Sequence, residues 1–290
     1  MRYIILLALL VSASAFAQEP DSTSALYRMR ETERNFARAS VMIGRNAAFA
    51  EFFADESLIF TDRWQKNGRQ YSKEHKPVPY VLKWEPEYMD IAASRDFGVS
   101  TGPWELQEYR PGTKPVAMGY FLTVWKKQQD GTWKVILDGG SESPALPAND
   151  HNFGFPAGAD KDTKVLPVEQ SGKSEGEMMA AEQQLITDWG KQPGIKTYSR
   201  FLASDARIIV NGHIPATTYD SVSNVITKLD RFITWKPEGI MVASSGDLGF
   251  TYGTLKNVAN QGASKGNYVR IWKKDKTGVW KISIEMLNPE

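Results

Sequence analysis

The 290-residue chain contains no cysteine and three histidines, His75, His151 and His213. Without cysteine it has no disulfides, no thiol nucleophile and no thiolate metal ligands. Three histidines spread along the chain are too few for a histidine-built zinc site within one domain. We therefore expect neither a metal nor another cofactor.

The chain also lacks an excess of either charge, with 35 Lys and Arg against 34 Asp and Glu. Proteins that bind nucleic acid or anionic membranes present a basic surface, so this balance predicts no nucleic-acid partner. The phosphate-binding loop, the Gly-x-Gly-x-x-Gly fingerprint, the His-Glu-x-x-His helix and the Gly-x-Ser-x-Gly elbow are also missing. The 41% hydrophobic content and the length are typical of a globular protein with about two domains.

One long apolar run is present, at the N-terminus. Arg2 precedes it, and Ala15 and Ala17 supply small residues at the two positions that signal peptidase reads. The run of about 14 apolar residues is shorter than the roughly 20 that a membrane span needs. We interpret residues 1–17 as a signal peptide. This predicts a periplasmic or secreted protein that begins at Gln18 and has no membrane contact after cleavage.

The chain repeats itself with a shift of about 150 residues. Three segments carry the repeat, 94–102 over 245–253, 119–127 over 266–274, and 131–135 over 278–282, together with Trp84 over Trp235 and Glu33 over Glu182. Between the copies, 146–174 is rich in Pro and Gly without apolar periodicity, as in a linker that forms no core. We predict a first domain over 18–145, a second over 175–290, and pairing of the two within one chain.

Each copy begins with helices and ends with strands. Apolar spacing predicts helices over 24–42, 45–54, 177–189, 194–202 and 219–232, and a broken one over 73–83 that contains Pro77 and Pro79. Short β-branched and aromatic runs predict an antiparallel meander in the last third of each copy, with Asp130-Gly131 and Asp275–Gly278 as hairpin turns. Helices followed by such a sheet indicate an α+β fold.

The order of these motifs resembles the nuclear transport factor 2-like superfamily. The resemblance is carried by Trp84-Glu85-Pro86, by the Asp-x-Gly-x-x-x-Gly run over 96–102, by the strand over 119–125 and by the closing Asp-Gly-x-Trp-Lys-Val, each with a counterpart in the second copy. More narrowly, the chain resembles SnoaL-like and ketosteroid isomerase-like exported bacterial domains of unknown function. The resemblance implies two tandem cone-shaped domains, each with about three N-terminal helices packed on a strongly curved, mainly antiparallel sheet. Members include isomerases, cyclases, dehydratases and proteins without chemistry, so the fold does not select an activity.

Ketosteroid isomerases use one ionised acid to move a proton, while a tyrosine and a protonated acid hold the oxyanion. Such chemistry needs a carboxyl group whose pKa is raised by an apolar pocket, beside a hydroxyl donor. The residues that we select as pocket candidates are Glu33, Asp62, Trp84, Tyr120, Asp138, Glu182, His213, Trp235, Tyr268 and Glu285.

Most candidates also have a structural interpretation. Glu33 and Glu182 could be solvated helix acids, and Asp96 and Asp247 fit turn residues that accept backbone N–H bonds. His75 and His213 lie in polar stretches that favour the surface, and most of the tryptophans fit a core position.

Asp138 and Glu285 are the candidates that we rank first. Strict alternation along the final strand puts Asp138 on the face opposite Trp133, and Glu285 opposite Trp280. That face is either the cavity or the solvent side.

Three functions remain open from the sequence. The first is non-catalytic binding of a small, mostly apolar molecule in a cone pocket. The second is a cofactor-free isomerase, cyclase or dehydratase that uses a pocket carboxylate and a tyrosine. The third is an interaction scaffold whose cones are filled by side chains.

Overall fold

A computed structural model describes residues 19–61, 64–110, 112–146, 153–161, 171–229, 231–260 and 263–290. Helices precede a curved sheet in each half of the chain, so the predicted α+β class is confirmed. The signal-peptide prediction over 1–17 and the candidate Asp62 lie outside the described residues. No helix in the described ranges is both long and apolar enough to cross a membrane.

The first half has three helices and a seven-stranded sheet. Its elements are α1 Ala25–Ile43, α2 Arg45–Phe52, β1 Phe53–Phe60, β2 Trp64–Lys66, α3 Gly68–Glu74, β3 Tyr80–Trp84, β4 Tyr88–Ile91, β5 Phe97–Glu108, β6 Ala117–Lys127 and β7 Trp133–Glu142. The strand order is β2-β1-β7-β6-β5-β3, with β4 also paired to β5. All pairs are antiparallel except β1 with β7.

The second half repeats this plan with fewer strands. Its elements are α4 Ser171–Lys191, α5 Ile195–Tyr198, β8 Leu202–Val210, α6 Tyr219–Lys228, β9 Ile233–Val242, β10 Leu248–Asn257, a 3-10 turn Val258–Asn260, β11 Ala263–Lys274 and β12 Trp280–Pro289. The strand order is β8-β12-β11-β10-β9, and the parallel pair is β8 with β12. The first strand of each half therefore lies beside the last.

Local chemistry explains where helix α1 begins and which face it buries. The Ser24 hydroxyl accepts a hydrogen bond from the Tyr27 N–H at 3.1 Å, which satisfies one of the free donors of the first turn. Leu26, Met29 and Phe36 recur at helical spacing and are fully or almost fully buried against the sheet. Glu33 lies on this same buried face.

Several predicted element bounds are wrong. The helix predicted over 45–54 ends at Phe52, because β1 begins at Phe53, and the helix predicted over 194–202 is the short α5. The broken helix predicted over 73–83 lies earlier, as α3. It ends before Pro77 and Pro79, whose missing N–H groups and fixed φ stop a helix, and the chain continues as strand β3.

A β-bulge in the last strand of each half overturns the predicted alternation. Opposite β6, Val124 pairs with Leu137 and Trp125 pairs with Val135, so Ile136 is an extra residue on β7. Ser283 is the corresponding extra residue on β12. A bulge shifts the alternation by one residue, so residues before and after it change faces relative to a regular strand. Asp138 therefore lies on the same inner face as Val135, and not opposite it.

Part of the predicted linker packs on the first half. Phe153 is buried in the helix-facing core, and its ring lies 3.9 Å below the Arg30 guanidinium carbon. The Met89 N–H also donates a hydrogen bond of 3.1 Å to the Gly154 backbone oxygen. The expectation that 146–174 forms no core is therefore wrong for 153–161, where aromatic side chains supply the missing apolar contacts.

The outer faces of the two sheets lie against each other. One apolar cluster contains residues of both halves, and Phe97 stacks on Phe250 with ring centroids 6.2 Å apart. Polar contacts across this interface come in an equivalent pair, in which an aspartate of each half accepts a hydrogen bond from the other half. The Ser244 hydroxyl donates to Asp96, and the Ala93 N–H donates to the Asp247 carboxylate at 3.2 Å.

Candidate functional site

A cavity of about 470 Å³ opens into the first half, between the helices and the inner face of the sheet. Its walls are mainly aromatic and aliphatic, including Phe36, Phe49, Trp104, Leu106 and Phe121. Such a volume and lining are typical of pockets that bind a small organic molecule.

Asp138 supplies a carboxyl group to this cavity. The bulge at Ile136 turns Asp138 inward, where it faces Thr123 across the β6–β7 pair. The Thr123 hydroxyl donates a hydrogen bond of 2.6 Å to Asp138 Oδ1. Burial raises the pKa of Asp138 to about 7, against the lowering effect of the Thr123 hydrogen bond, and the charge of Glu33 raises it further. A carboxyl group with such a pKa can both donate and accept a proton near neutral pH.

Glu33 supports the cavity wall from behind. Its carboxylate is fully buried and accepts hydrogen bonds from Trp84 Nε1 at 2.6 Å, Ser100 Oγ at 2.5 Å and Trp125 Nε1 at 2.8 Å. Trp84 itself lines the cavity, so its hydrogen bond to Glu33 fixes the indole in the wall. Burial raises the pKa of Glu33 despite these donors.

Polar side chains from the helical side form the rim. Arg45 and Asn46 begin α2, while His75 and Lys76 follow α3, and all four line the cavity. Asn46 Nδ2 donates to the backbone oxygens of His75 at 2.7 Å and Lys76 at 3.3 Å, which holds the two segments together. The His75 ring stacks on Tyr71 with centroids 3.7 Å apart.

The equivalent place in the second half is filled by Arg270. Its position opposite Glu285 matches that of Thr123 opposite Asp138. The fully buried guanidinium contacts Glu285 Oε1 at 2.6 Å and Glu182 Oε1 at 2.5 Å. Tyr268 Oη donates to Glu182 at 3.0 Å, and the Trp235 ring lies 5.0 Å from the Arg270 guanidinium carbon.

This buried cluster has two carboxyl groups for one guanidinium. Both oxygens of Glu182 have partners, since Thr251 Oγ1 and Trp272 Nε1 also donate to it. Glu285 accepts only through Oε1, and its Oε2 has no partner among the described residues. Burial and repulsion from Glu182 raise the pKa of Glu285 well above its ordinary value. When Glu285 is protonated, the cluster has no net charge. Neutrality lowers the free-energy cost of burying these groups away from water.

The chain is similar to solved nuclear transport factor 2-like proteins. A ketosteroid isomerase-like protein from Erwinia carotovora atroseptica is 17% identical, with a TM-score of 0.32, over 40% of this chain and 96% of that one. A nuclear transport factor 2-like protein of unknown function from Shewanella oneidensis is 16% identical, with a TM-score of 0.32, over 40% and 97%. A nuclear transport factor 2-like superfamily protein from Salmonella enterica serovar Typhimurium is 14% identical, with a TM-score of 0.34, over 43% and 95%.

These are the proteins that the sequence motifs led us to expect, and each corresponds to about two fifths of the chain. No protein-family model matches the chain, and no curated protein matches it.

The structure places the described candidate residues in different parts of the molecule. Trp84 and Asp138 line the first cavity, and Glu33 lies directly behind it. Glu182, Trp235, Tyr268 and Glu285 belong to the closed cluster of the second half.

Tyr120 and His213 lie away from the cavity. Tyr120 neighbours the inward-facing Phe121 on β6 and so points to the opposite face, into the cluster between the sheets, where burial raises its pKa to about 12. His213 follows β8 in a loop beside the first half, where Gly212 N–H donates to the Glu142 backbone oxygen at 2.9 Å. Neither residue can assist Asp138.

The sequence did not lead us to three residues of the cavity and the closed cluster. Thr123 was detectable, since the Asp130-Gly131 hairpin sets the β6–β7 register that places it opposite Asp138. Arg270 was detectable as a lone charge in the apolar run Tyr268–Trp272. Arg45 had no signal, because its position depends on how α2 meets the segment after α3. Across the described ranges, no three His, Asp or Glu side chains gather where they could ligate one metal ion.

Proposed function

We propose that this protein binds one small, mostly apolar molecule in the cavity of its first half, and that the second half is a closed partner without a ligand. The observation that supports the proposal is that equivalent positions of the two sheets are open to a cavity in the first half and filled in the second. Thr123 and Asp138 border open space, whereas Arg270 and Glu285 are fully buried against each other. Apolar walls with few polar groups favour a ligand whose surface is mostly hydrocarbon.

Fluorescence titration with N-phenyl-1-naphthylamine tests this proposal. The probe is neutral, aromatic and brighter in apolar surroundings. We expect saturable binding that is lost in Leu106→Trp, because the larger ring fills the cavity. Val116→Trp is the matched control, since Val116 is 53% exposed on the same half and should leave binding unchanged. Equal binding by all three proteins, or by none, would contradict the proposal, and the latter result favours the scaffold alternative.

Proton-transfer catalysis is the second candidate, and the Asp138 carboxyl group favours it. With a pKa of about 7 beside a hydroxyl donor, Asp138 can act as a general acid or base without a cofactor. Tyr71 lines the cavity and supplies the phenol that Tyr120 does not. A panel of cyclic unsaturated ketones, followed by absorbance for isomerisation, tests this candidate. Turnover should vary with an apparent pKa near 7 and vanish in Asp138→Asn, and turnover that persists in this variant would exclude Asp138.

We also propose export of the mature chain, on the basis of Arg2, the apolar run and the small residues at 15 and 17. N-terminal sequencing of protein from the non-cytoplasmic fraction of its host should begin at Gln18. An intact N-terminus on protein confined to the cytoplasm would contradict this proposal.

A further inference from the structure

We infer that the ligand of the first-half cavity is an amphipathic anion, whose carboxylate or sulfonate group pairs with Arg45 at the rim while its apolar part lies against the aromatic walls. This inference rests on the proposed binding function and adds the chemical class of the ligand.

Arg45 is a partly buried cation without an acidic partner. It lines the cavity, and among the described residues no carboxylate lies within ion-pair distance of its guanidinium. Burial lowers the pKa of Arg45, which records the unfavourable removal of the charge from water. A charge in this position is stabilised when an anion arrives and supplies the missing partner.

Five other described arginines with buried or partly buried side chains show what this one lacks. Each of the five has a carboxylate within 4 Å: Arg30 with Glu19, Arg34 with Glu85, Arg69 with Asp55, Arg207 with Glu87, and Arg270 with Glu182 and Glu285. Arg95 is also partly buried, and it donates to the backbone oxygens of Ala159 and Lys161. Arg45 has no such partner, and it lies at the rim of the cavity. Its guanidinium is therefore placed to pair with a ligand that enters the cavity.

The surroundings of Arg45 add positive charge and little negative charge. Lys76 lies on the same rim, held there by the hydrogen bonds of Asn46. Glu74, two residues before Lys76, is exposed and accepts a hydrogen bond from Gln70 Nε2 at 2.7 Å. Among the described lining residues Asp138 is the only acid, and its carboxyl group is largely protonated below neutral pH.

The walls define the rest of the ligand. Phe36, Phe49, Trp104 and Phe121 offer ring faces and edges to a planar or alicyclic body. One guanidinium pairs best with one planar or tetrahedral anionic group, which it can contact through two parallel N–H bonds. A compact monoanion with a fused-ring or aryl body fits both parts of the cavity.

Two probes with the same ring system test the inference. N-phenyl-1-naphthylamine is neutral, and 1-anilinonaphthalene-8-sulfonate carries one sulfonate on the same skeleton. We expect the full chain to bind the sulfonate about tenfold more tightly, as a charge-assisted pair provides. Arg45→Gln should remove this preference, so that the two probes bind with similar affinities, and a cooperative urea transition shows that the variant is folded. Arg110→Gln, an exposed arginine of the same half, should behave as the unmodified chain.

Leu106→Trp identifies the signal that comes from the cavity, because it should abolish binding of both probes there. If the neutral probe binds but the sulfonate has no advantage, or if Arg45→Gln keeps the advantage, the anion inference is wrong and the binding function stands. If neither probe gives a signal that Leu106→Trp removes, the binding function itself is wrong.

Discussion

At the scale of single residues, Asp138 and Thr123 make the first half different from the second. Thr123 satisfies one oxygen of Asp138 with a hydrogen bond of 2.6 Å, and the cavity leaves the remainder of the carboxyl group without a cation. Burial then outweighs the hydrogen bond, and the pKa rises to about 7. Arg270, at the position of Thr123, instead brings a permanent charge to both carboxyl groups of its half.

Asp138→Asn should change how stability depends on pH. Between the ordinary value of 3.8 and about 7, the folded chain keeps a proton that the unfolded chain has released. Stability therefore falls as pH rises through this window. The asparagine cannot ionise but can still accept the Thr123 hydrogen bond. Between pH 5 and pH 8, the free energy of unfolding of the original chain should fall by about 2–3 kcal/mol more than that of the variant. Urea unfolding at both pH values measures this, and parallel pH profiles would show that Asp138 ionises freely.

Arg270→Met should destabilise the second half strongly. The substitution leaves Glu182 and Glu285 buried without their cation, which costs about 3–5 kcal/mol in comparable buried pairs. The loss should be smaller at pH 5 than at pH 8, because a buried carboxyl group that has lost its cation takes up a proton more readily at the lower pH. A triple variant with Arg270→Met, Glu182→Gln and Glu285→Gln should recover part of the stability at pH 8. Urea midpoints equal to those of the original chain would contradict a role for this cluster in stability.

At the scale of elements, the sequence indicated the kind of structure better than its details. The helices at the start of each half, the antiparallel meander and the Asp-Gly hairpin follow from local periodicity and turn chemistry, and they are present. The face of Asp138 does not follow, because the bulge at Ile136 depends on pairing with β6 and leaves no mark in β7 alone. The position of α3 was also predicted wrongly. Its seven residues are too few to give a clear helical pattern, so the predicted helix was placed over the proline-containing segment that follows.

Gly102 tests the close approach between β5 and residues 85–87, which join β3 to β4 and run alongside β5. A Cβ atom at this position would lie 2.1 Å from the Glu85 backbone oxygen and 2.8 Å from the Glu87 nitrogen. Neither contact can relax without moving backbone. Gly102→Ala should therefore destabilise the chain by about 2 kcal/mol or more in urea unfolding, as overpacking does.

Gly176 provides the matched control for this substitution. It is exposed within α4, and the space that a Cβ atom would occupy there is open. Gly176→Ala should raise stability by about 0.5–1 kcal/mol, because alanine restricts the unfolded chain and favours the helix. If the two substitutions have effects of the same sign, the close approach at Gly102 is not as described.

At the scale of the whole molecule, the two halves share an apolar core, and we propose that they remain paired in solution. Besides the stacked Phe97 and Phe250, Lys273 of the second half contacts the buried Asp90 of the first at 2.5 Å. Trp64 Nε1 also donates to the Gly253 backbone oxygen at 3.2 Å. Loss of either half would expose this cluster to water.

The shared core predicts a single unfolding transition. In calorimetry of the full chain, the calorimetric and van't Hoff enthalpies should agree, because neither half retains its buried outer face when the other unfolds. Phe250→Ala should lower the midpoint while preserving a single transition, since the lost ring belongs to the core that both halves share. Two separated transitions, with only one affected by Phe250→Ala, would contradict the paired arrangement.

Function is the level at which the sequence was least informative. Repetition and motif order led to the architecture, and Glu33, Trp84 and Asp138 were found as pocket candidates from their positions in it. The sequence could not distinguish the open half from the closed one, because the roles of Thr123 and Arg270 depend on which residues face them across the sheet. Arg45, which defines the class of ligand, depends entirely on tertiary contacts.

The number of binding sites per chain tests most directly whether the first half is open and the second half closed. Equilibrium dialysis of the full chain against N-phenyl-1-naphthylamine measures this number. We predict one molecule per chain at saturation, reduced to none by Leu106→Trp. Two molecules per chain would show that the second half is also open, and none would show that the first half does not bind such ligands.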